Sequence, residues 1–393
     1  MTHDPSETPA GTRPAGPLAG LKVVEFAAIG PVPLAGMLLC DMGADVVCVT
    51  RPGSRPTDPR EIVNRGRRWI ELDLKIPEHQ SEARRLMACA DLVLEGFRPG
   101  VMERLGLGPA RARADNPRLV YGRMTGWGQD GPLAASAGHD IDYIAITGAL
   151  DAVRGADGRP IPPLNLVGDY AGGAMFLLSG VLAALLHARA SGMGQVVDAA
   201  MCDGVVSLLS LFHSRAALGQ WGPPGGNMLD GGAPFYTTYR CADGGFVCVG
   251  ALEPQFYAQM RRIAGLNEPL FDQQLDRTRW PAMRERMAQV FATRSRDEWV
   301  RLFEGTDACV AGVLSLEEAP EHPHLRARET FVVKDSVRQA APAPRFSCTP
   351  SRLASRPMGA ATGLEEVLAQ WAAPEHPFRQ TSAAASEEDS PVR

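Results

Sequence analysis

The chain has 393 residues, 45% of them hydrophobic, enough for a sizeable core and two or three domain-sized units. A formal net charge of −5 argues against a general nucleic-acid binder, though single arginines can still hold an anionic small molecule. The eight cysteines include no C-x-x-C pair and sit mostly in apolar runs, which excludes a zinc ribbon or disulfide frame and points to reduced, buried thiols.

In chain order, residues 1–16 are rich in Pro, Thr and Gly and read as a disordered tail without the apolar core of a signal peptide. LKVVEFA (21–27) reads as a buried strand. IGPVPLAGMLLCDMGA (29–44) reads as a helix opened by proline and closed by Gly43. DVVCVT (45–50) is a second buried strand and WIELDL (69–74) a third. SEARRLMACA (81–90) is helical, and DLVLEGF (91–97) and RLVYGRM (118–124) are strands. Strands alternating with helices define parallel β/α units. No G-x-G-x-x-G follows the first strand and no G-x-x-x-x-G-K-[ST] occurs, so the usual dinucleotide and triphosphate signatures are missing.

From about 165 the pattern turns helical, first from Asp169 to Ser191 and then over 196–218. The run AGGAMFLLSGVLAALLHA (171–188) grazes the length of a membrane span. Its three glycines, its serine and the Asp169 just before it read better as a buried core helix. Short strands at 235–241 and 245–252 and helices near 254–264 and 281–304 follow, a smaller α+β domain. APAPRFSCTPSR (341–352) reads as an extended return to the first domain. The expected division is a large domain from 17–200 and 341–372, a small domain with linkers from 201–340, and a second disordered tail at 373–393.

Three ionisable residues stand out. His139 lies in GHDIDY, Asp169 in PPLNLVGDYAGG at the mouth of the apolar helix, and Glu253 in GALEPQF at a strand end. Each has an ordinary reading: a surface pair, a helix cap, a first-turn acid. Together they have a sharper one. A carboxylate beside a helix start lies near free backbone N–H groups, and an imidazole facing it, titrating near neutrality, makes a two-sided proton-transfer site.

The segments PLAGLKVVEFAAIGP, MLLCDMGADVV, RRWIELDLK, EGFRPGVMERLGLG, MTGWGQDGP, AGHDIDY, PPLNLVGDYAGG, GQVVDAAMCDG, NMLDGGAPFY and GALEPQFY resemble, in order, the family III CoA-transferase (CaiB/BaiF) superfamily. Within it they are most similar to the bacterial α-methylacyl-CoA racemases. The resemblance covers about 17–350. It implies an α/β fold with a Rossmann-like large domain and a smaller α+β domain, and a homodimer of interlocked chains with the active site between one chain's large domain and the other's small one. It implies that His139 and Asp169 flank the substrate α-carbon, that Glu253 partners His139, and that (2R)- and (2S)-2-methylacyl-CoA thioesters interconvert by 1,1-proton transfer through an enolate. No metal or redox cofactor is then needed; CoA enters as part of the substrate.

By the same resemblance, CoA is held by Arg51, by Leu72, Asp73, Leu74 and Lys75, by Gly96, Phe97 and Arg98, and by Arg104. Gly138, His139, Asp140, Ile141, Asp142 and Tyr143 line the thioester and pantetheine pocket. Arg51 also follows a strand end, where ligands of open α/β sheets bind. The family's transferases use a nucleophilic aspartate, assigned here to Asp140. A Gln-Ala pair common in transferases after that position is missing, since the chain continues IDYIAITG, and Asp169 and Glu253 are both present. These features favour the racemase over the transferase. A catalytically idle acyl-CoA-binding protein would need none of the three. The stretch 51–66 and Asp142, where Asn is common, depart from the usual pattern and leave the acyl group open. No membrane or nucleic-acid partner is expected, and the expected location is the cytoplasm.

Overall fold

The computed structural model describes residues 16–155, 157–354 and 356–372; the expected tails at 1–16 and 373–393 lie outside them but for Gly16. The chain forms two compact units. Among the described residues the first comprises 16–143, Asn165–Val205 and 331–372; the second comprises Ile144–Leu164 and Val206–Thr330. Residues 144–164 therefore group with the second unit and 331–340 with the first, unlike the boundaries drawn from sequence.

The first unit is built on a six-stranded parallel sheet of order β3-β2-β1-β4-β5-β6. Its strands are β1 (Lys22–Phe26), β2 (Asp45–Thr50), β3 (Arg68–Glu71), β4 (Leu92–Glu95), β5 (Val120–Thr125) and β6 (Val196–Ala200). Every residue of β1 is buried. Val23 packs into one core with helix α1 (Pro31–Asp41) and the long helix Phe176–Ser191. Val24 and Phe26 face the opposite core, with α2 (Pro77–Ala88), α4 (Pro109–Asp115) and the helix Leu364–Ala372; between α2 and α4 lies the short α3 (Val101–Arg104). A parallel sheet covered on both faces needs apolar side chains on both sides of each strand, which is why KVVEF and DVVCVT read as unbroken apolar runs.

Three arginines bind acids inside this core. Arg67 pairs with Glu25 of β1 at 2.9 Å and donates to the Pro33 carbonyl in the first turn of α1. Arg65 pairs with Asp41 at the other end of α1, and Arg123 with Glu95 at 2.8 Å. Burial pushes the Glu25 carboxyl up, against the pull of Arg67.

The region 196–218 departs from the helical expectation. Val196–Ala200 is β6, paired in parallel with β5, and helices Met201–Leu208 and Ser210–Ala217 follow. The β-branched Val196 and Val197 take the strand, and a helix starts directly after Ala200 with no breaker between them. Leu166–Met175 is a π-helix running into the long helix. Together they are, among the described residues, long and apolar enough to cross a membrane. One face is buried through Leu177, Val181 and Ala184, while Leu186 on the other is exposed.

The second unit holds a three-stranded antiparallel sheet of order β7-β8-β9, with β7 (Tyr236–Arg240), β8 (Phe246–Gly250) and β9 (Val310–Gly312). Its aromatic core includes Phe235, Tyr239, Phe271, Trp280, Phe291 and Trp299. The expected helix over 281–304 is two, Trp280–Phe291 and Arg296–Phe303. The second opens on a capping box in which Ser295 and Glu298 exchange bonds. A hairpin, β10 (Phe331–Lys334) and β11 (Val337–Ala340), belongs to the first unit, tied to it by Arg65, which donates to Gln339 and the Ala340 carbonyl.

Candidate functional site

The strand order reverses direction between β1 and β4, the place where open α/β sheets bind ligands. A cavity of about 310 Å³ opens there, within the first unit. Its walls come from Ile29 and Gly30 after β1 with the first residues of α1, Pro31 and Val32, from the loop after β4 (Gly96–Pro99), the end of β5 with Trp127, the loop residues Ser136 to His139, and Tyr143, Asp169 and Met201.

Each wall has a local cause. Glu95, buried at the end of β4 and held by Arg123, accepts the N–H of Phe97 at 2.7 Å and so curls the loop that carries Gly96, Phe97 and Arg98. Trp127 and Tyr143 meet edge to face at 4.7 Å, and the Tyr143 hydroxyl donates to the Gly138 carbonyl. That contact pins the loop bearing His139 to α5 (Asp140–Ile146). Asp142 accepts the His139 N–H at 2.9 Å, which fixes the residue just before the helix while its side chain stays exposed.

Asp169 enters from the π-helix, a form of helix found often at functional sites. Its carboxylate accepts from the Asn165 side chain at 3.1 Å, and its N–H donates to Asp140 at 2.6 Å. Gly30, with φ +71°, precedes α1, and a Cβ there would lie 2.9 Å from the Asp169 Oδ2. Only glycine lets the start of α1 come this close. Burial raises the Asp169 carboxyl above its ordinary value. The Asn165 hydrogen bond pulls it down, the Asp140 anion pushes it up, and His139 pulls it down again.

The expected site residues divide. His139 and Asp169 face one cavity, with Gly96, Phe97, Arg98, Gly138 and Tyr143 beside them. Ile141 and Asp142 are exposed outside the lining. Arg51 follows β2 and is exposed. After β3, the Leu72 side chain is core and its N–H is spent on the Thr50 carbonyl at 2.8 Å; Asp73 accepts from the Lys75 N–H, Leu74 packs on the core and Lys75 is exposed. Arg104 is exposed at the end of α3. Glu253 belongs to the second unit. It stands at the cap position of the helix Pro254–Ala264, exposed, with no capping bond from its side chain.

The assignment of Asp140 as an acyl-accepting nucleophile is corrected by its surroundings. Its side chain is buried, 8% exposed, outside the cavity lining, with one oxygen engaged by the Asp169 N–H. A nucleophile must reach the substrate, and Asp169 is the carboxylate at the cavity. Sequence reasoning missed the parts of the wall supplied by Gly30, Trp127 and Met201. The GWGQDGP turn and the glycine ahead of a proline-opened helix were the available signals.

An exposed imidazole and a half-buried carboxylate on one switch-point cleft suit acid–base or acyl-transfer chemistry on a small reacting centre. The chain belongs to the CoA-transferase family III, whose model matches residues 18–362. It is 44% identical to the α-methylacyl-CoA racemases of mouse and of human, in each case over 336 residues, 85% of this chain and 87% of the relative. The crystal structure of a CaiB/BaiF family protein from Brucella suis superposes with a TM-score of 0.77 at 25% identity, covering 91% of this chain and all of that one.

Proposed function

We propose that the protein is a racemase of 2-methylacyl-CoA thioesters. The observation that carries this is the placing of His139 and Asp169 on a single cavity, in a chain 44% identical to named racemases. One of the two groups takes the α-proton, the C–H electron pair passes into a planar enolate, and the other group delivers a proton to the opposite face. The electrons and the thioester are otherwise unchanged, so neither metal nor redox cofactor is called for. The raised Asp169 carboxyl brings it closer to a role that alternates between acid and base.

Glu253 orients His139 or stabilises its charged form, and Arg51, Arg98, Arg104 and Lys75 take the CoA phosphates. The working unit in this reading is an interlocked homodimer in the cytoplasm. The exposed apolar side chains of Ile146, Leu164, Leu186, Leu211 and Leu218 are consistent with a covering second copy.

The test is proton NMR of one enantiomer of a 2-methylacyl-CoA with the enzyme in D₂O and no acceptor acid. Deuterium at the α-carbon with loss of chiral purity, abolished in His139→Ala, is the expected result. No exchange, but CoA transfer once a free carboxylic acid is added, would refute it and make Asp169 the acyl-accepting group.

A further inference from the structure

Asp140 is a buried carboxylate with no part in the proton transfer just described, and its geometry is unusual. It is the first residue of α5, directly after His139. One oxygen, Oδ1, accepts the N–H of Asp169 at 2.6 Å, across 29 residues of chain. The other, Oδ2, is enclosed, with no hydrogen-bond partner among the described residues. The neighbouring Gly168 leaves it no slack: a Cβ there would stand 2.4 Å from Oδ1.

We infer that Asp140 is a positioning residue, which holds the peptide of Asp169 at a fixed offset from His139 so that the two proton carriers address opposite faces of one α-carbon. The inference rests on the racemase reading and deepens it. Two consecutive residues divide the work. His139 presents its side chain to the cavity, and Asp140 turns inward and clamps the peptide that carries the second group. The spacing between the carriers thus depends on one covalent link and one short hydrogen bond. Reaction geometry is sensitive on that scale, a displacement of about 1 Å costing on the order of 10²-fold in rate. The Asp140 anion also pushes the Asp169 carboxyl in the direction burial does, so the clamp and the tuning come from the same group.

The experiment separates exchange with inversion from exchange with retention, using each enantiomer of a 2-methylacyl-CoA in D₂O with the full-length enzyme. Inversion needs both carriers. Retention, for the enantiomer whose α-proton faces His139, needs His139 alone. In Asp140→Ala, inversion is expected to fall by about ten-fold or more. Retention exchange of that one enantiomer should stay within about two-fold, since His139 is left in place. Asp140→Asn keeps an oxygen for the Asp169 N–H and should restore inversion to within about three-fold of wild type. Unchanged inversion in Asp140→Ala would overturn the inference. So would an equal fall of inversion and retention for both enantiomers, or an Asp140→Asn variant as impaired as the alanine. Absence of any exchange by the wild-type enzyme would instead overturn the proton-transfer reading.

Discussion

Gly30→Ala is a small perturbation with two separable costs. The residue sits at φ 71°, ψ −118°, a conformation that disfavours any L side chain by roughly 1–2 kcal/mol. In a unit of this size that corresponds to a fall in Tm of roughly 2–8 °C. The second cost falls on the site. The new Cβ would lie 2.9 Å from the Asp169 Oδ2 and 3.3 Å from its Cγ, inside ordinary contact, so something must move. The backbone of α1 is held by Arg67 at the Pro33 carbonyl, so the carboxylate yields and strains its bond to Asn165. If a displacement of about 1 Å costs on the order of 10²-fold, a shift of about half that costs about ten-fold, mostly in kcat. The assay is α-proton exchange in D₂O over a range of thioester concentrations, beside a thermal melt. A Gly30→Ala enzyme with wild-type kcat would refute the claim that Gly30 makes room for a catalytic carboxylate, whatever its Tm.

Other outcomes follow from the same geometry. Asp169→Asn should lower inversion by at least about 10²-fold, the usual scale for removing a general acid–base group. Because burial raises the Asp169 carboxyl in the folded state, its unfavourable ionisation is absent below the ordinary Asp value of 3.8 and sets in as pH rises through the raised one; Asp169→Asn should therefore melt no lower than wild type at pH 7, and any gain should vanish in acid. A lower Tm at neutral pH would contradict this. For the enantiomer whose proton Asp169 removes, the acid limb of kcat/KM should lie above the ordinary Asp value. In Asp140→Asn, with the carboxylate that pushes Asp169 up gone and Asn165, His139 and the Tyr143 hydroxyl unchanged, that limb should move to lower pH; a limb that stays in place or moves upward would contradict this. Arg67→Met strands Glu25 in the core and should cost about 3–5 kcal/mol by denaturant melts, whereas the double change Arg67→Met with Glu25→Leu should recover much of it.

Much of this was legible in the residues. β2 falls on DVVCVT, and the alternation of apolar strand and helix predicts a parallel sheet with both faces covered. Other parts turn on tertiary context. VVDAA runs straight into the helix at Met201, so local pattern cannot tell an edge strand from a helical turn; the open side of β5 decides. Nothing in LVGDYAGGAM distinguishes π from α spacing; in the fold the π segment packs against α1. His139, Asp140 and Asp142 are three polar groups of one short stretch, and pattern alone does not say which way each side chain turns. The fold makes one a cavity wall, one a buried clamp and one a cap, because α5 starts between the first two.

The first turn of α1 has a chemical consequence of its own. A helix start at this point of a doubly wound sheet is where dinucleotide enzymes seat a pyrophosphate on a fan of free peptide N–H groups. Here the first and third helical residues are Pro31 and Pro33, which have no N–H to give, so Val32 is the single donor among the first three. A dianion is poorly served by one donor; one oxygen gathering partial charge is not. With two prolines in its first turn, α1 does not present the fan of donors on which a pyrophosphate is seated.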